Sequence, residues 1–592
     1  MTTELQANVL TESTIKKVIP PCLLYALVQS MTFMVDTIVA GHYLGSESVA
    51  AIALGIPMIG LMLSFTAMIL QGAYLKFLNA MGRNNMEEYH RFYSLGLIFT
   101  VLVDFVFLGI CIFQTDAVLG IAGAGKATED VMNMGCLYVR TACLEILFFA
   151  VGTLFQLVIT SYGYQTDSMI CSVICVLVNF VTSIVMVMNL PSDIGIAGLG
   201  IGSAVGTFAQ LITAYILMRR RKIRAKFSFY PINKQNMLDA LDMIRKGFPA
   251  SANSMLDSAS TSIVNRIILS VFMEGTSVLA LVAVIKTIFN LVRIAARGTS
   301  FASQPLFAIL HGARDSAGVK KVFISAYKWG SIYSAGIAII MIALRSRILA
   351  FYNIGNNPDA NLGFIIIALA GMVTVAPYLF NVAYESTGHL LVSMVVAIIP
   401  DSILYPLSLP LMGKIFGIKG IWLAMGYNFI PFFIIIYLIF VCKYKTLRPP
   451  LEKILLIRRD EGRITELDVS VPIDAEDVTF ISAKLQEFLT KSGVDKRIAF
   501  KAALCTEEIA ADYIQFRNRG SKKSYMDIKV FRREDAIEII LRNYDDPYNP
   551  LVFEAETESY SKIGVTMVQK ICRDIAYSYA YHLNIISITM DT

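Results

Sequence analysis

Long apolar stretches follow one another over the first three quarters of the chain, separated by short polar segments. A helix needs about 20 apolar residues to cross a bilayer, and twelve of these stretches reach that length. The pattern therefore predicts twelve transmembrane helices in two sets of six. The first set covers residues 15–40, 49–75, 91–113, 133–158, 166–188 and 196–218, and the second covers 246–272, 277–305, 325–350, 361–385, 391–412 and 418–442.

The two sets resemble each other as repeats. When their first spans are aligned, Pro20 matches Pro249 and Asp36 matches Asn265. Each set contains an even number of crossings, so both copies enter the membrane from the same side. The sequence thus predicts two six-helix lobes, related by a pseudo-two-fold axis along the membrane normal, with a cavity between them.

After about residue 446 the composition becomes that of an ordinary soluble domain. Helical periodicity in "DKRIAFKAALCTEEIAADYIQF" and "VTMVQKIC" predicts two helices, and "YMDIKVF" with "AIEIILRN" and "IAYSYAY" with "NIISITM" predict two hairpins. The expected fold class is a membrane all-α body with a small cytoplasmic α/β sandwich. The predicted divisions are an N-terminal lobe (10–218), a basic connector (219–244), a C-terminal lobe (245–445), a linker (446–465) and a tail domain (466–592).

Composition agrees with a protein that lies in a lipid bilayer. Of the 592 residues, 56% are hydrophobic and only 16% are charged, whereas soluble domains carry about 25% charged residues. The net charge of +6 is small for this length and argues against nucleic-acid binding. Lys and Arg concentrate in alternate loops, for example at 219–235 and 443–459. The positive-inside rule therefore predicts a multi-pass protein of the plasma (inner) membrane with both termini in the cytoplasm.

One carboxylate, Asp36, lies near the end of the first apolar stretch, which is otherwise uncharged from Val18 to Ala40. A charged carboxylate inside a membrane span costs a few kcal/mol, so such residues usually have a partner or a function. A partly desolvated carboxyl group can take up and release protons near neutral pH. Asp36 is therefore a candidate ion-coupling residue. The alternative is an acid that packs between helices or extends its carboxylate to the outer surface.

The eighth apolar stretch carries three cations. On a helix, Lys286, Arg293 and Arg297 fall on one face together with Asn290. Three cations in lipid would cost on the order of 8–10 kcal/mol, so this stripe must face a cavity or carboxylates. Two interpretations stay open: a structural ion network within the C-terminal lobe, or a cavity for anionic or zwitterionic substrates. Candidate carboxylate partners are Asp257, Glu385 and Asp401.

Several motifs occur in the order that is typical of the multidrug and toxic-compound extrusion (MATE) family. They are Asp36 followed by "GHYLG", then "TSYGYQTDSM" at 160–169, then "VLVNFVTS…GIAGLGIGSAVGT" between 176 and 207. The chain resembles this family over about residues 10–445. The resemblance implies cation-coupled export of small molecules by alternating access, with no enzymatic activity and no cofactor beyond H⁺ or Na⁺.

The same resemblance implies a cation site in the N-terminal lobe, at Asp36, Asn179 and Thr207. The family pattern has an Asp four residues after the Asn, and this chain has Ser183. A site with one carboxylate has less charge with which to dehydrate Na⁺, so we expect H⁺ as the coupling ion. Alternatives from other functional classes are a flippase for lipid-linked precursors and a signalling receptor that has kept a transporter body.

The tail resembles the ATP-binding domains of anti-sigma factors and histidine kinases (GHKL type). The resemblance matches the metal-binding and water-binding positions to Glu508 and Asp512, the adenine-reading positions to Asn543 and Asp545, and the glycine-rich turn to Gly564. Most of these letters differ from the family pattern. Without its glycines the backbone cannot approach phosphates closely. The resemblance thus implies a degenerate module that binds a cytoplasmic regulatory protein, with residual ATP and Mg²⁺ binding as the alternative and no metal site elsewhere.

Overall fold

The computed structural model describes most of the chain. For some residues inside the described ranges only the backbone is described. The ranges are 9–83, 85–121, 129–191, 194–223, 225–231, 233–271, 275–313, 315–351, 357–457, 465–472, 475–517, 525–544, 547–551, 561–581 and 583–592.

The described residues of the first half of the membrane body form eight α-helices, and the six apolar stretches of this half lie on them to within one residue. They are α1 (Val9–Tyr43), α2 (Ser46–Gly82), α3 (Met86–Phe113), α4 (Thr115–Ile121), α5 (Glu129–Ala142), α6 (Ile146–Ser161), α7 (Gln165–Asn189) and α8 (Ala197–Arg220). A single 3-10 turn, Cys143–Glu145, joins α5 to α6. Within this half, α1 packs on α7, and α8 packs on α6 and α7.

In the second half of the body, ten α-helices lie within the ranges given above. They are α9 (Lys234–Val271), α10 (Gly275–Val292), α11 (Ile294–Gly312), α12 (Ser316–Phe351), α13 (Pro358–Val373), α14 (Val375–Ser386), α15 (Leu390–Ile398), α16 (Tyr405–Phe416), α17 (Ile418–Tyr427) and α18 (Phe429–Tyr444). A π-helical segment, Ile399–Leu404, separates α15 from α16. It contains Pro400, which has no N–H for a regular helical hydrogen bond.

By length and hydropathy, eight of the described helical segments could each cross a membrane. A ninth candidate is α17 with α18, which are bent by 44° where they meet. The remaining three predicted spans fall on α1, on α9 and on α10 with α11.

Helices occupy both ends of the segment 219–244, which the sequence predicts as the basic connector. α8 continues to Arg220, and α9 begins at Lys234. Asp239 and Asp242 form ion pairs that hold the first turns of α9 against α3 and α2. This polar part of α9 has no apolar run, so hydropathy alone does not mark it as helical.

The tail is a five-stranded antiparallel sheet with helices. A short helical turn, α19 (Leu451–Ile454), precedes it. The elements of the tail are β1 (Thr465–Pro472), α20 (Ala475–Lys491), α21 (Lys496–Arg517), β2 (Tyr525–Arg532), β3 (Ala536–Tyr544), α22 (Ser561–Ile571), β4 (Asp574–Ala580) and β5 (Leu583–Asp591). The strand order is β1-β2-β3-β5-β4, with every neighbouring pair antiparallel. Both predicted hairpins, β2 with β3 and β4 with β5, and both predicted helices, α21 and α22, are confirmed. β1 and α20 are additional.

The two faces of this sheet are covered by different parts of the molecule. Ile537 and Ile539 of β3 belong to a core shared with α20, α21 and α22, as does Ile586 of β5. Ile540, the residue after Ile539 in β3, points to the other face of the sheet. Together with Phe531 of β2 it belongs to a cluster that also contains residues of α1, α2 and α11. Side chains alternate across a strand, so apolar residues on both faces indicate a sheet that is covered on both sides. The membrane body is the second cover.

Candidate functional site

Asp36 lies on α1 and is buried against α5 and α8, with 8% of its surface exposed. The hydroxyl of Tyr138 on α5 donates to Asp36 Oδ2 at 2.8 Å, and the hydroxyl of Ser203 on α8 donates to the same oxygen at 3.4 Å. The other oxygen, Oδ1, is buried and has no hydrogen-bond partner among the described residues. One oxygen thus holds the carboxyl group in place, and the second is available to a proton or a cation.

Asn179, on α7, joins this site through Ser203. Its amide nitrogen donates to Ser203 Oγ at 3.1 Å, and its amide oxygen accepts a hydrogen bond from Ser183 at 2.9 Å. Asp36, Ser203 and Asn179 therefore form a chain of polar side chains across α1, α8 and α7. Ser183, where the family pattern has Asp, is bonded to Asn179.

Glycines of α8 allow α7 to come this close. A Cβ atom on Gly202 would lie 2.1 Å from Ser183 Oγ, and a Cβ atom on Gly206 would lie 2.8 Å from the Cβ of Asn179. A larger residue at either position would push the two helices apart and separate Ser203 from Asn179. The glycine-rich motif of the sixth span thus serves as a packing surface for the polar site.

A second acid lies near Asp36. Glu145, in the turn between α5 and α6, is close enough to Asp36 for the two carboxyl groups to interact electrostatically. Among the described contacts, Thr207 donates to the backbone carbonyls of Ser203 at 3.1 Å and Glu145 at 3.5 Å, and it is not bonded to Asp36. Sequence reasoning missed Tyr138, Ser203 and Glu145 as members of this site. Ser203 lies inside a recognised motif, whereas no local pattern points to Tyr138.

Arg293 and Asp401 form an ion pair in the C-terminal lobe. Arg293 lies where α10 meets α11, and its Nη2 atom is 2.7 Å from Asp401 Oδ2 and 2.9 Å from Oδ1. The side-chain amide of Asn428 donates to Asp401 Oδ1 at 3.2 Å. The guanidinium lies over the rings of Phe289 and Phe429, at 4.3 and 5.3 Å from their centroids. For this cation the contacts favour the structural ion network.

The candidate carboxylates Asp401 and Glu385 lie in different environments. Glu385, at the end of α14, accepts a hydrogen bond from Gln71 of α2 at 3.3 Å, so it belongs to the contact between the lobes. The side chain of Asp257 lies outside the described residues. The half-buried members are Lys286, Asn290 and Arg297.

The two lobes touch each other on the side of the body that carries the tail domain, here called the tail side. α2 of the first lobe crosses α9 of the second at Gly72 and Gly247. A Cβ atom on Gly72 would lie 1.8 Å from the carbonyl oxygen of Met243, and one on Gly247 would lie 1.8 Å from that of Met68. Only glycine permits backbones to approach this closely.

α2 meets α11 in the same way, at Gly82 and Gly312. Polar contacts between the lobes surround these crossings. The bridges are Lys76 with Asp242, Arg91 with Asp239, Gln71 with Glu385, and the Ser251 hydroxyl with the carbonyl of Ser64. We call these glycine crossings and polar bridges together the tail-side gate.

On the opposite side, the far side, each lobe has its own core. Buried apolar side chains of the tail-side half form one cluster with members from both lobes. Within the described part of the chain, the far-side half contains two clusters. One surrounds Val39 and Leu199 in the first lobe, and the other surrounds Ile268 and Trp422 in the second. Among the side chains that the structure describes, the lobes thus share a core on the tail side and form two separate clusters on the far side.

In the tail domain, side chains of the domain itself surround two of the predicted nucleotide-site residues. The hydroxyl of Tyr548 donates to Asp512 on α21. The side chain of Asn584 accepts from the Tyr548 N–H at 2.9 Å and donates to Asn543 at 2.8 Å. Asp512 and Asn543 therefore have internal partners where the GHKL resemblance would put a nucleotide.

The remaining positions of that predicted site lie on α21 and α22. A Cβ atom on Gly564 would lie 2.0 Å from Glu508 Oε2, so the two helices leave no gap at this point. Asp545 lies outside the described residues. Within the ranges given above, no three His, Cys, Asp or Glu side chains come together in a group that could hold a metal ion.

Comparison with known proteins bears on the membrane body. Residues 21–185 match the MatE family model. The probable multidrug resistance protein YoeA of Bacillus subtilis is 24% identical over 334 residues, which make up 55% of this chain and 70% of that protein. An outward-facing multidrug resistance MATE family transporter of the MOP superfamily has a TM-score of 0.65 and 14% identity, over 74% of this chain and 96% of that chain.

A MOP superfamily transporter from Pyrococcus furiosus, for which a reverse polarity of the binding pocket suggests a different function, has a TM-score of 0.63 and 15% identity. The match covers 74% of this chain and 96% of the Pyrococcus furiosus transporter. At such identities the structural matches establish the fold. Together with the family model and YoeA, they show that the membrane body is similar to MATE family transporters, and the apolar helices indicate a multi-pass membrane protein.

Proposed function

We propose that this protein is a cation-coupled efflux antiporter that works by alternating access and uses H⁺ in preference to Na⁺. The observation that carries the proposal is the setting of Asp36, a buried carboxylate with one oxygen held by Tyr138 and Ser203 and the other without a partner among the described residues. Such a group can bind one proton without leaving its position. Positive residues in alternate loops support a plasma (inner) membrane protein with both termini and the tail side in the cytoplasm.

The residue at position 183 supports the choice of the proton. Ser183, in place of a further Asp, removes a ligand that a dehydrated Na⁺ would use. Binding of the proton changes the charge that α1 presents to α5 and α8. If the proton binds one arrangement of the lobes more tightly than the other, its binding shifts the equilibrium towards that arrangement.

The transported solute is a small organic molecule, and we propose an anionic or zwitterionic class. The stripe of cations supports this class, because Arg293 is buried and Lys286 and Arg297 are half-buried in the same lobe. Transport of matched anionic and cationic solutes by the same preparation tests this class, and a preference for the cationic solute would contradict it.

The coupling role of Asp36 is tested with purified protein in proteoliposomes under imposed H⁺ and Na⁺ gradients. We expect Asp36→Asn to reduce H⁺-driven efflux to the rate without a gradient, because the amide cannot be protonated at neutral pH. The matched control is Asp104→Asn, at another buried acid of the same lobe, which accepts a hydrogen bond from Thr66 at 2.6 Å. We expect the control to keep H⁺ coupling.

Three results would contradict the proposal. H⁺-driven efflux by Asp36→Asn would exclude Asp36 as the coupling residue. Solute binding without flux would favour a receptor, and movement of a lipid-linked precursor between leaflets would favour a flippase. The expected regulatory protein that binds the tail is part of the same proposal and is tested by its effect on the efflux rate.

A further inference from the structure

We propose that the tail domain is an intramolecular clamp for the tail-side gate. The sheet face that is turned to the membrane body binds the two lobes together when they are closed against each other, and it binds them poorly when they separate. This inference rests on the relative motion of the lobes in the proposed function. It names the partner of the tail: the closed gate of the same chain.

Tyr581 contacts both lobes at once. It lies in the turn between β4 and β5 and is fully buried. Its backbone N–H donates to the carbonyl of Ser161, at the end of α6 in the first lobe, at 3.0 Å. Its hydroxyl donates to the carbonyl of Ala302, on α11 of the second lobe. One residue of the tail thus spans the boundary that the gate closes.

The backbone conformation of Tyr581 indicates that a tyrosine side chain is needed at this position. Its φ angle is 55°, in the left-handed region that non-glycine residues adopt at an energetic cost. A glycine in this turn would avoid that cost. The tyrosine instead provides a ring and a hydroxyl that reach between the lobes. Tyr579 of the same hairpin adds a contact with the first lobe, since its ring centroid lies 6.4 Å from that of Tyr162.

Asp315 anchors the sheet to the second lobe. It lies between α11 and α12, is 1% exposed, and caps α12 by accepting from the N–H of Gly318 at 2.8 Å. Lys529 of β2 donates to its Oδ1 at 2.7 Å, and Arg542 of β3 donates to its Oδ2 at 2.5 Å. Both cations are almost fully buried, so this cluster is closed off from solvent between the tail and the body.

A second bridge extends the same cluster. Asp468 of β1 lies 3.1 Å from Lys529 and 2.9 Å from Lys321 of α12. Buried charges are tolerated when they are paired, and removal of one partner leaves the others uncompensated. The ion pairs therefore make docking specific for this surface, because docking against a surface without a carboxylate would bury Lys529 and Arg542 as unpaired charges.

The tail prefers one arrangement of the lobes because of where its two hydrogen-bond partners lie. Ser161 and Ala302 belong to different lobes, and the contacts of the gate fix the distance between them. When the lobes separate on the tail side, Tyr581 cannot keep both hydrogen bonds. A domain that binds one arrangement better than the other stabilises it by the ratio of the two affinities. The clamp therefore favours the arrangement that is closed on the tail side.

The experiment measures two distances in the full chain in lipid nanodiscs. Labels at the exposed positions Arg220 and Lys496 report docking of the tail, and labels at the exposed positions Asn189 and Lys419 report the far-side separation of the lobes. Labels introduced as noncanonical amino acids leave the native cysteines in place. These distances need no knowledge of substrate or coupling ion, so their outcome is independent of whether the efflux assay succeeds.

Two variants weaken the clamp in different ways. Asp315→Asn keeps an oxygen to cap α12 but loses the charge that pairs with Lys529 and Arg542. Tyr581→Gly removes the bridge and suits the φ angle of the turn, so the tail keeps its fold. We expect each to lower the ratio of docked to undocked tail on the order of 100-fold and to increase the population with a short far-side distance. Tyr581→Phe, the matched control, loses only the hydroxyl contact and should have a smaller effect on both distances.

Two outcomes would overturn the clamp. In the first, the tail undocks and the far-side distance stays unchanged, which would make the tail a passive attachment. In the second, the docking distance persists in molecules whose far side has closed, which would mean that the sheet binds both arrangements equally.

Discussion

Asp36 and Asp315 are both buried aspartates, but hydroxyl groups surround the first and cations surround the second. Tyr138 and Ser203 hold Asp36 without fixing its charge. Lys529 and Arg542 pair with Asp315 and favour its ionised form. The same side chain can therefore carry a proton at one place and act as a permanent anchor at another, because its neighbours decide which form is stable.

The charge of Asp315 gives a pH prediction for docking. Burial raises the pKa of this carboxyl group, but Lys529 and Arg542 outweigh burial and hold the pKa below its ordinary value of 3.8. Because the pKa of Asp315 is lower in the docked state than in the undocked state, its ionised form stabilises docking at every pH above the ordinary pKa. This stabilisation is lost as the pH falls from the ordinary pKa to the pKa of the docked state. We expect a constant docked fraction from about pH 8 to pH 5 and a decline only below about pH 4.

The docking labels at Arg220 and Lys496 measure this profile. The other charged groups of the cluster are Lys321, Asp468 and Asp527, and burial raises the pKa of Asp527. A loss of docking near pH 6 that disappears in Asp315→Asn would contradict the prediction. A loss near pH 6 that persists in this variant would be assigned to another group of the cluster.

At the scale of elements, glycines decide which helices cross. Of the glycines of α2, Gly72 and Gly82 meet the backbone of another helix, whereas nothing lies within 4 Å of a Cβ atom added at Gly60. Gly72 and Gly247 bring α2 and α9 into direct contact between the lobes, and Gly202 and Gly206 do the same for α8 and α7 within the first lobe. Close backbone contact lets lobes meet over a large area without long side chains between them.

The crossing of α2 and α9 gives a prediction with an internal control. A Cβ atom on Gly72 would lie 1.8 Å from a carbonyl oxygen of α9, so Gly72→Ala forces the helices apart. We expect this variant to increase the population that is open on the tail side and to reduce docking of the tail on the order of 10-fold or more. Gly60→Ala, where nothing lies within 4 Å of the added atom, should leave both unchanged. The label pairs described above measure the outcome, and equal effects of the two variants would contradict it.

At the scale of the whole molecule, the tail uses both faces of one sheet. One face supports its own helices, and the other covers the boundary between the lobes. The region that resembles a nucleotide site is occupied by Tyr548 and Asn584. This arrangement supports a tail that acts through docking and not through hydrolysis of a nucleotide.

We therefore expect the full chain not to bind ATP in the tail. A ligand with a micromolar Kd would stabilise the folded tail by about 4 kcal/mol at 1 mM. Hydrogen exchange of β3 and β5 with 1 mM ATP and Mg²⁺ should match the exchange without nucleotide. Slower exchange, abolished by a substitution at Glu508, would restore the nucleotide-binding alternative.

The sequence by itself determined the elements. Apolar length placed the twelve helical stretches, and alternation placed the two hairpins, because both signals are local. Asp36 was identifiable because a charge in an apolar run is visible without any partner. The polar first turns of α9 carry no apolar signal, so the sequence pattern does not mark them as helical, and in the structure ion pairs with α2 and α3 hold them in place.

Only the tertiary structure decided the partners. Asp401, and not Glu385, pairs with Arg293; Tyr138 and Ser203 hold Asp36; Asp315 meets Arg542. These residues lie far apart along the chain, and each pairing depends on which faces of two helices or of a sheet come together. The docking of the tail across both lobes is of the same kind, since an apolar second face predicts a cover but does not say which surface provides it.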